Sequence, residues 1–320
     1  MDWFGVEIDG PIVVVRTIHF AATATMAGAL MFRAVVAEPS LRSAEQVDLI
    51  VDRRIRALVW ICVALSIASG VAWLLLQTSA MSGETYSQAL MSGALVIVLN
   101  ETQFGLVMKI RLVFVLVLAV CLAYDRFPPV RWLGLGSSLC LTVAIAWTGH
   151  AGSTPYQLGY LHLTADALHL LAASAWTGGL VSLVLLLAAT ASHQVETRAA
   201  LELDAVRRFS SLGIVSVATL VGSGIVNGWI LVGSFRGLGA TTYGRVLMLK
   251  VAIFLIMVSV ATVNRFFLAP RLALSGGGDA QRKWAHGLRR NALVEIVLAF
   301  LVFAVVGLLG TLHPAAHLVN

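Results

Sequence analysis

The sequence predicts an all-α, polytopic membrane protein built as a bundle of about eight transmembrane helices. Hydrophobic residues make up 59% of its 320 positions and charged residues 12%, with a mean hydropathy of +0.89. That leaves too little polar surface for a soluble chain of this length. Eight apolar runs reach the roughly 20 residues that cross a hydrocarbon core about 30 Å thick. They are continuous, unlike the alternating segments of about 10 residues that build membrane β-barrels.

The first run, 11–37, follows the opening MDWFGVEIDG, which holds three acids and no base. No small-residue cleavage site comes after it, so it is expected to be a span and not a signal peptide. Runs at 55–77, 105–124 and 130–149 follow, and the fourth ends at His150. Between the second and third, the segment 84–104, ending LNETQFG, reads as an outer amphipathic or re-entrant piece. The fifth run, 163–190, begins beside His162. The sixth, 209–233, carries Ser216, Thr219, Ser223 and Asn227 at spacings of three and four, with Gly222, Gly224 and Gly228 alongside. Small and hydroxyl residues are what close helix contacts in lipid use. The seventh, 246–269, holds Lys250 near its start, placed to snorkel outward. The eighth, 291–312, holds Glu295, placed to reach the cytoplasmic interface, to pair with Arg265 or to relay a proton. Residues 1–320 are expected to form a single integral membrane domain.

Charge sets the orientation. Connections at 38–54, 125–131, 191–208 and 270–290, together with Arg56 at the edge of the second run, hold fourteen Lys and Arg residues. The alternate connections at 78–104, 150–162 and 234–245 hold two, Arg236 and Arg245. Lys/Arg asymmetry of this kind fixes the cytoplasmic side, so both termini are expected to be periplasmic. The net charge of +6 is therefore topological and marks no nucleic-acid partner; the partner surface is membrane lipid. Cys62, Cys121 and Cys140 all lie inside apolar spans, never as a C-x-x-C pair, and read as buried small hydrophobes. SGGGD at 275–279 is a linker in a basic loop and not a phosphate cradle, so no ATP-driven pump is implied.

Six of the eight histidines fall at or near the outer face: His19, His150, His162, His169, His313 and His317. His193 and His286 fall in basic loops. Any one histidine at an interface can be an amphipathic anchor; their convergence is what points to a site. In the fifth helix His162, Asp166 and His169 stand at i, i+4 and i+7, one stripe of a 3.6-residue helix. A carboxylate inside a span costs about 2.5–3.5 kcal/mol on insertion scales, so Asp166 should face the interior and have a partner. Two readings stand. Asp166 orients an imidazole whose other nitrogen binds metal, or it makes a structural pair with a histidine or Arg16. In the first helix Arg16, His19, Thr23 and Met26 form a matching stripe. Thioether and imidazole suit a copper path, although Met at helical spacing also fills cores. His150 lies only twelve residues before His162, and His313 ends the last helix ahead of Pro314.

Several short elements in fixed order resemble one family. They are Trp176-Thr-Gly178-Gly179-Leu180, Phe209-Ser210, Asn227, Thr242-Tyr243-Gly244 followed by Lys250, Asn264-Arg265 with Pro270, and Arg289-Arg290 ahead of Glu295. Together with the outer histidines they resemble the copper-resistance protein D (CopD) family, most specifically across 163–312, helices 5 to 8. The resemblance implies an inner-membrane protein that moves copper from periplasm toward cytoplasm with a separate periplasmic copper-binding protein as partner. It transfers no settled ligand set.

The site expected from spacing is therefore an outward-facing copper entry formed by His19, His150, His162, His169 and His313, with Asp166 behind them and Met26 as a step on the path. This is transport and copper homeostasis, not catalysis. Two alternatives remain open here: a membrane cytochrome b holding haem through paired histidines, and a copper chaperone for oxidase assembly that passes metal laterally. The charge asymmetry makes its own prediction. A reporter fused after Asn320 is expected to be periplasmic and one inserted near Gly277 cytoplasmic; a cytoplasmic C-terminus, read by protease protection or reporter activity, reverses the placement of the site.

Overall fold

A computed structural model describes residues 9–42, 45–190, 195–275 and 278–317. Eight helices in it are long and apolar enough to cross a membrane: α1 (Gly10–Leu41), α2 (Gln46–Ser82), α3 (Gln103–Ala123), α4 (Pro128–Thr148), α5 (Tyr156–Thr190), α6 (Ala200–Val232), α7 (Thr242–Leu274) and α8 (Gly278–Leu309). No strand occurs among the described residues. The expected segment between α2 and α3 forms two short helices, Tyr86–Met91 and Ala94–Glu101.

Local chemistry sets where the helices start. Asp9 caps α1 by accepting from the Ile12 amide at 3.2 Å, with a proline in the first turn. Thr102 and Thr241 cap α3 and α7 through the amides of Gly105 and Gly244, both at 3.0 Å. Thr241 makes α7 begin at Thr242, four residues ahead of the expected 246, which sinks Lys250 deeper below the outer end. Each of two wide π-turns, Arg33–Ala37 and Asn264–Leu268, runs into a helical segment that has a proline in its first turn, Pro39 and Pro270. A proline ring lacks the amide hydrogen and collides with the carbonyl four residues back, and a π-turn ahead of it opens that register.

α1 is the centre of the bundle. It packs on α2, α4, α5 and α8, and 83% of its apolar window is buried, against 11% for α7. The crossing with α5 is a backbone contact. A Cβ built on Gly178 would lie 2.6 Å from the Thr25 carbonyl oxygen and 2.7 Å from the Gly28 Cα, so both helices need glycine there. Lipid gives helices no hydrophobic reason to associate, and close approach through small residues supplies van der Waals contact instead. At the end that bears the basic loops, buried Arg33 joins α1 to α2 and to the α3–α4 connection, pairing with Asp52 at 2.7 Å and Asp125 at 2.7 Å; Arg131 on α4 reaches Glu38 at 3.1 Å. The other half is a pair of pairs: α5 with α6, and α7 with α8. α6 meets α7 through the Ala269–Leu274 turn, yet over Thr242–Val263 the two form no packed pair.

Gly178→Ala is expected to destabilise the bundle by about 1–3 kcal/mol, the usual cost of overpacking, read as a lower midpoint of thermal unfolding in detergent. Gly213→Ala, on α6 with nothing within 4 Å of the added Cβ, is expected to leave the midpoint unchanged or raise it.

Candidate functional site

A cavity of about 500 Å³ opens between the α5–α6 and α7–α8 pairs and reaches α1 and α4. Its walls are mainly apolar. Beside the hydroxyls of Thr142, Thr148, Ser174 and Thr177, the polar groups on it are Arg16 from α1, His150 from the α4–α5 connection, His162, Asp166 and His169 from α5, Asn227 from α6, and Tyr243 and Lys250 from α7. The stripe expected on the fifth helix is therefore real and faces one space.

Three buried or half-buried imidazoles share a device. His162 Nδ1 lies 2.8 Å from Thr154 Oγ1, whose hydroxyl donates to the His150 carbonyl at 3.1 Å. His169 Nδ1 lies 3.0 Å from Ser223 Oγ, whose hydroxyl donates to the Thr219 carbonyl. His19 Nδ1 lies 2.9 Å from Ser69 Oγ, whose hydroxyl donates to the Leu65 carbonyl at 2.6 Å. A hydroxyl whose proton is already given to a carbonyl accepts the next bond, so the network assigns Nδ1–H as donor in all three rings. In the neutral ring Nε2 then carries the lone pair. For His162 and His169 that lone pair belongs to rings that line the cavity. For His19 it is taken by Arg111 Nη2 at 2.6 Å.

This corrects the expected ligand set in four places. His19 lies outside the cavity; it fastens α1 to α2 and α3 with Ser69, Arg111 and Trp73, whose ring centroid is 5.5 Å away. Met26 is fully buried in the main apolar core and lines no path through the cavity. His313 is exposed beyond the end of α8. Asp166 accepts from Asn227 Nδ2 at 3.3 Å and not from an imidazole or Arg16; orienting the rings falls to Thr154 and Ser223. Among the described residues no three His, Cys, Asp or Glu side chains are grouped tightly enough to hold a metal ion together. His193 and the side chain of His317 lie outside the described residues.

Spacing also left residues out. Ser223 and Asn227, expected to be packing groups on the sixth helix, bond His169 and Asp166; the hydroxyl stripe was visible, its facing helix was not. Lys250 turns into the cavity within electrostatic reach of Asp166 and His169 and does not snorkel. Glu295 is 1% exposed and accepts from Asn264 Nδ2 at 2.7 Å, while Arg265 donates to Ser210; the expected Glu295–Arg265 pair does not form.

Two family models match the chain: copper resistance protein D-like, N-terminal domain, over residues 7–160, and copper resistance protein D over residues 203–309. Copper resistance protein D of Pseudomonas syringae pv. tomato is 31% identical over 250 residues, covering 76% of this chain and 79% of that protein. The chain belongs to the copper resistance protein D family. Inner membrane protein YebZ of Escherichia coli is 29% identical across 94% of the chain and 98% of its own length. Copper transport protein CutJ of Bacillus subtilis is 31% identical across 69% of the chain and 42% of its own length. No solved structure matches. With eight apolar spans and a relative named for the inner membrane, this member of the copper resistance protein D family is a multi-pass inner-membrane protein. The N-terminal match takes in α1 to α4, and the C-terminal match α6 to α8.

Proposed function

We propose that the chain carries copper across the inner membrane, from the periplasm toward the cytoplasm, and that it does so as a transporter and not as an enzyme. The observation that supports this reading is the pair of neutral imidazoles, His162 and His169, held by Thr154 and Ser223 so that each Nε2 lone pair is left for a ligand in one cavity. They stand seven residues apart on α5, about two helical turns or 11 Å along the axis. Copper therefore meets them as successive stations and not as one chelate. His150 completes the entrance, its ring 6.1 Å from that of Tyr243. Imidazole accepts copper in both common oxidation states, and a few weakly chelating stations let an ion enter and leave, as conduction requires. The names of the relatives, copper resistance and copper transport, support copper as the cargo. A periplasmic copper-binding protein would hand the ion over at the His150 rim.

Copper uptake by the reconstituted full chain tests the reading. A protonated imidazole offers no lone pair, so uptake is expected to fall once outer pH is low enough to protonate the rings, and not to rise on acidification. His162→Ala and His169→Ala are each expected to lose uptake, with the double variant losing less than the sum because both act on one path. His286→Ala, exposed near the basic loops, is the control. Uptake that survives both substitutions, or that depends equally on His286, overturns the assignment. A Soret band in the purified protein that shifts on reduction would replace it with haem binding.

Ser223→Ala makes the narrower prediction. Removing the hydroxyl leaves the His169 ring and its fold position in place but frees its tautomer, and copper affinity is expected to weaken about 10–100-fold, the usual effect of losing the partner behind a ligand. Unchanged affinity by isothermal titration would show that the hydroxyl is packing alone.

A further inference from the structure

The cavity holds more positive charge than the copper reading needs. Arg16 is 7% exposed and lines the cavity. Its guanidinium rests over Gly310, where a Cβ would collide with it, and over the rings of Trp73 and Phe20, 5.0 and 5.4 Å from their centroids. Among the described residues no carboxylate pairs with it, and its Nε has no hydrogen-bond partner. Lys250 adds a second cation to the same space and Asp166 the one carboxylate, so with neutral imidazoles the polar end carries a surplus of one positive charge. Buried intramembrane charges are normally paired. This one is aimed into a cavity and waits for an anion.

The shape says what kind of anion. The lining runs along α7 from Tyr243 to Met257 and along α5 from His162 to Trp176, about 20 Å at about 1.5 Å per residue. That exceeds one leaflet, half of a hydrocarbon core about 30 Å thick. Below the polar end the walls are apolar apart from the Ser174 and Thr177 hydroxyls, and α6 and α7 leave the side open because they form no packed pair over Thr242–Val263. Val221 and Ile225 on one edge, and Val251 and Leu255 on the other, both line the cavity and are exposed. A gap edged by Val, Ile and Leu at this depth opens onto acyl chains, not water.

We propose that an anionic phospholipid of the surrounding bilayer occupies this cavity, entering sideways between α6 and α7, its phosphate against Arg16 and one acyl chain along the apolar wall. A phosphate oxygen satisfies the guanidinium with charge-assisted bonds, and the acyl chain fills space that would otherwise be an empty slot. The lipid closes the gap between the two helix pairs and gives Arg16 its missing counter-charge.

The test is native mass spectrometry of the full chain, exchanged from vesicles of phosphatidylglycerol or phosphatidylcholine. The wild-type chain is expected to retain one lipid and to prefer phosphatidylglycerol about fivefold, the contribution of one basic residue near an anionic surface. Arg16→Gln is expected to abolish the preference while a lipid is still held. Gly228→Leu, at a cavity position with nothing within 4 Å of the added Cβ, is expected to lower occupancy by both lipids; it improves helix propensity, so it decides the matter if Arg16→Gln fails to fold. Inorganic phosphate alone is expected not to displace the lipid. The proposal is overturned if Arg16→Gln keeps the preference, if Gly228→Leu keeps full occupancy, if free phosphate displaces the bound mass, or if the retained molecule is a haem with its Soret absorbance. Copper uptake is read separately, so failure of the lipid site and failure of the histidine path are distinguishable.

Discussion

The contact of α1 with α5 through Gly28 and Gly178 is the constraint on which the rest depends. Two backbones brought within van der Waals distance fix the depth of each helix relative to the other, and with it the level of every polar group along both. Arg16, twelve residues before Gly28, and His162, sixteen before Gly178, are thereby set near the same end of the bundle. α1 then has neighbours on four sides. α5 and α8 pack on it and on each other, while their partners α6 and α7 form no packed pair over Thr242–Val263, and that is where the cavity opens.

Within that frame the polar groups follow one economy. In a medium without water each donor must find an acceptor inside the protein, and serine and threonine in helices first give their proton to the preceding turn. A hydroxyl so committed becomes an acceptor, and a histidine Nδ1–H is what it accepts. His19, His162 and His169 repeat this arrangement at three places and differ only in what meets Nε2. Where Arg111 meets it, the ring is a structural tie between α1 and α3. Where the ring lines the cavity, no such tie is made. One neighbour thus separates a fastening histidine from the two that the copper proposal uses.

Charge is distributed by the same logic. At the end of the basic loops Arg33 is matched by Asp52 and Asp125, and Glu295 is held by an amide. Around the cavity the matching is incomplete: among the described residues no carboxylate pairs with Arg16, and Lys250 lies beside Asp166. The proposed passage of a cation and the proposed seat for a lipid headgroup are two readings that would use that imbalance.

Composition and periodicity alone determined the solvent, the number of spans and the stripe of His162, Asp166 and His169, because burial in lipid demands long apolar runs and a helix returns to one face every three to four residues. The resemblance to the family, and not composition, marked Gly178-Gly179, Asn227 and Lys250 as elements of one pattern. What composition and periodicity could not determine was which faces meet. Whether His19 joins His162 depends on the rotation of α1 about its axis, and Arg111 on α3, ninety-two residues away, decided that it does not. Whether Lys250 points to lipid headgroups or inward depends on where α7 starts, and the Thr241 cap placed that start four residues early. The separation of α6 from α7 leaves no trace in either helix's sequence, since an apolar residue facing acyl chains and one facing a cavity are chemically the same. Only the tertiary structure, through the glycine contact of α1 and α5 and the pairing of the remaining helices, decided which histidines share a space and which arginine stands in it with no carboxylate beside it among the described residues.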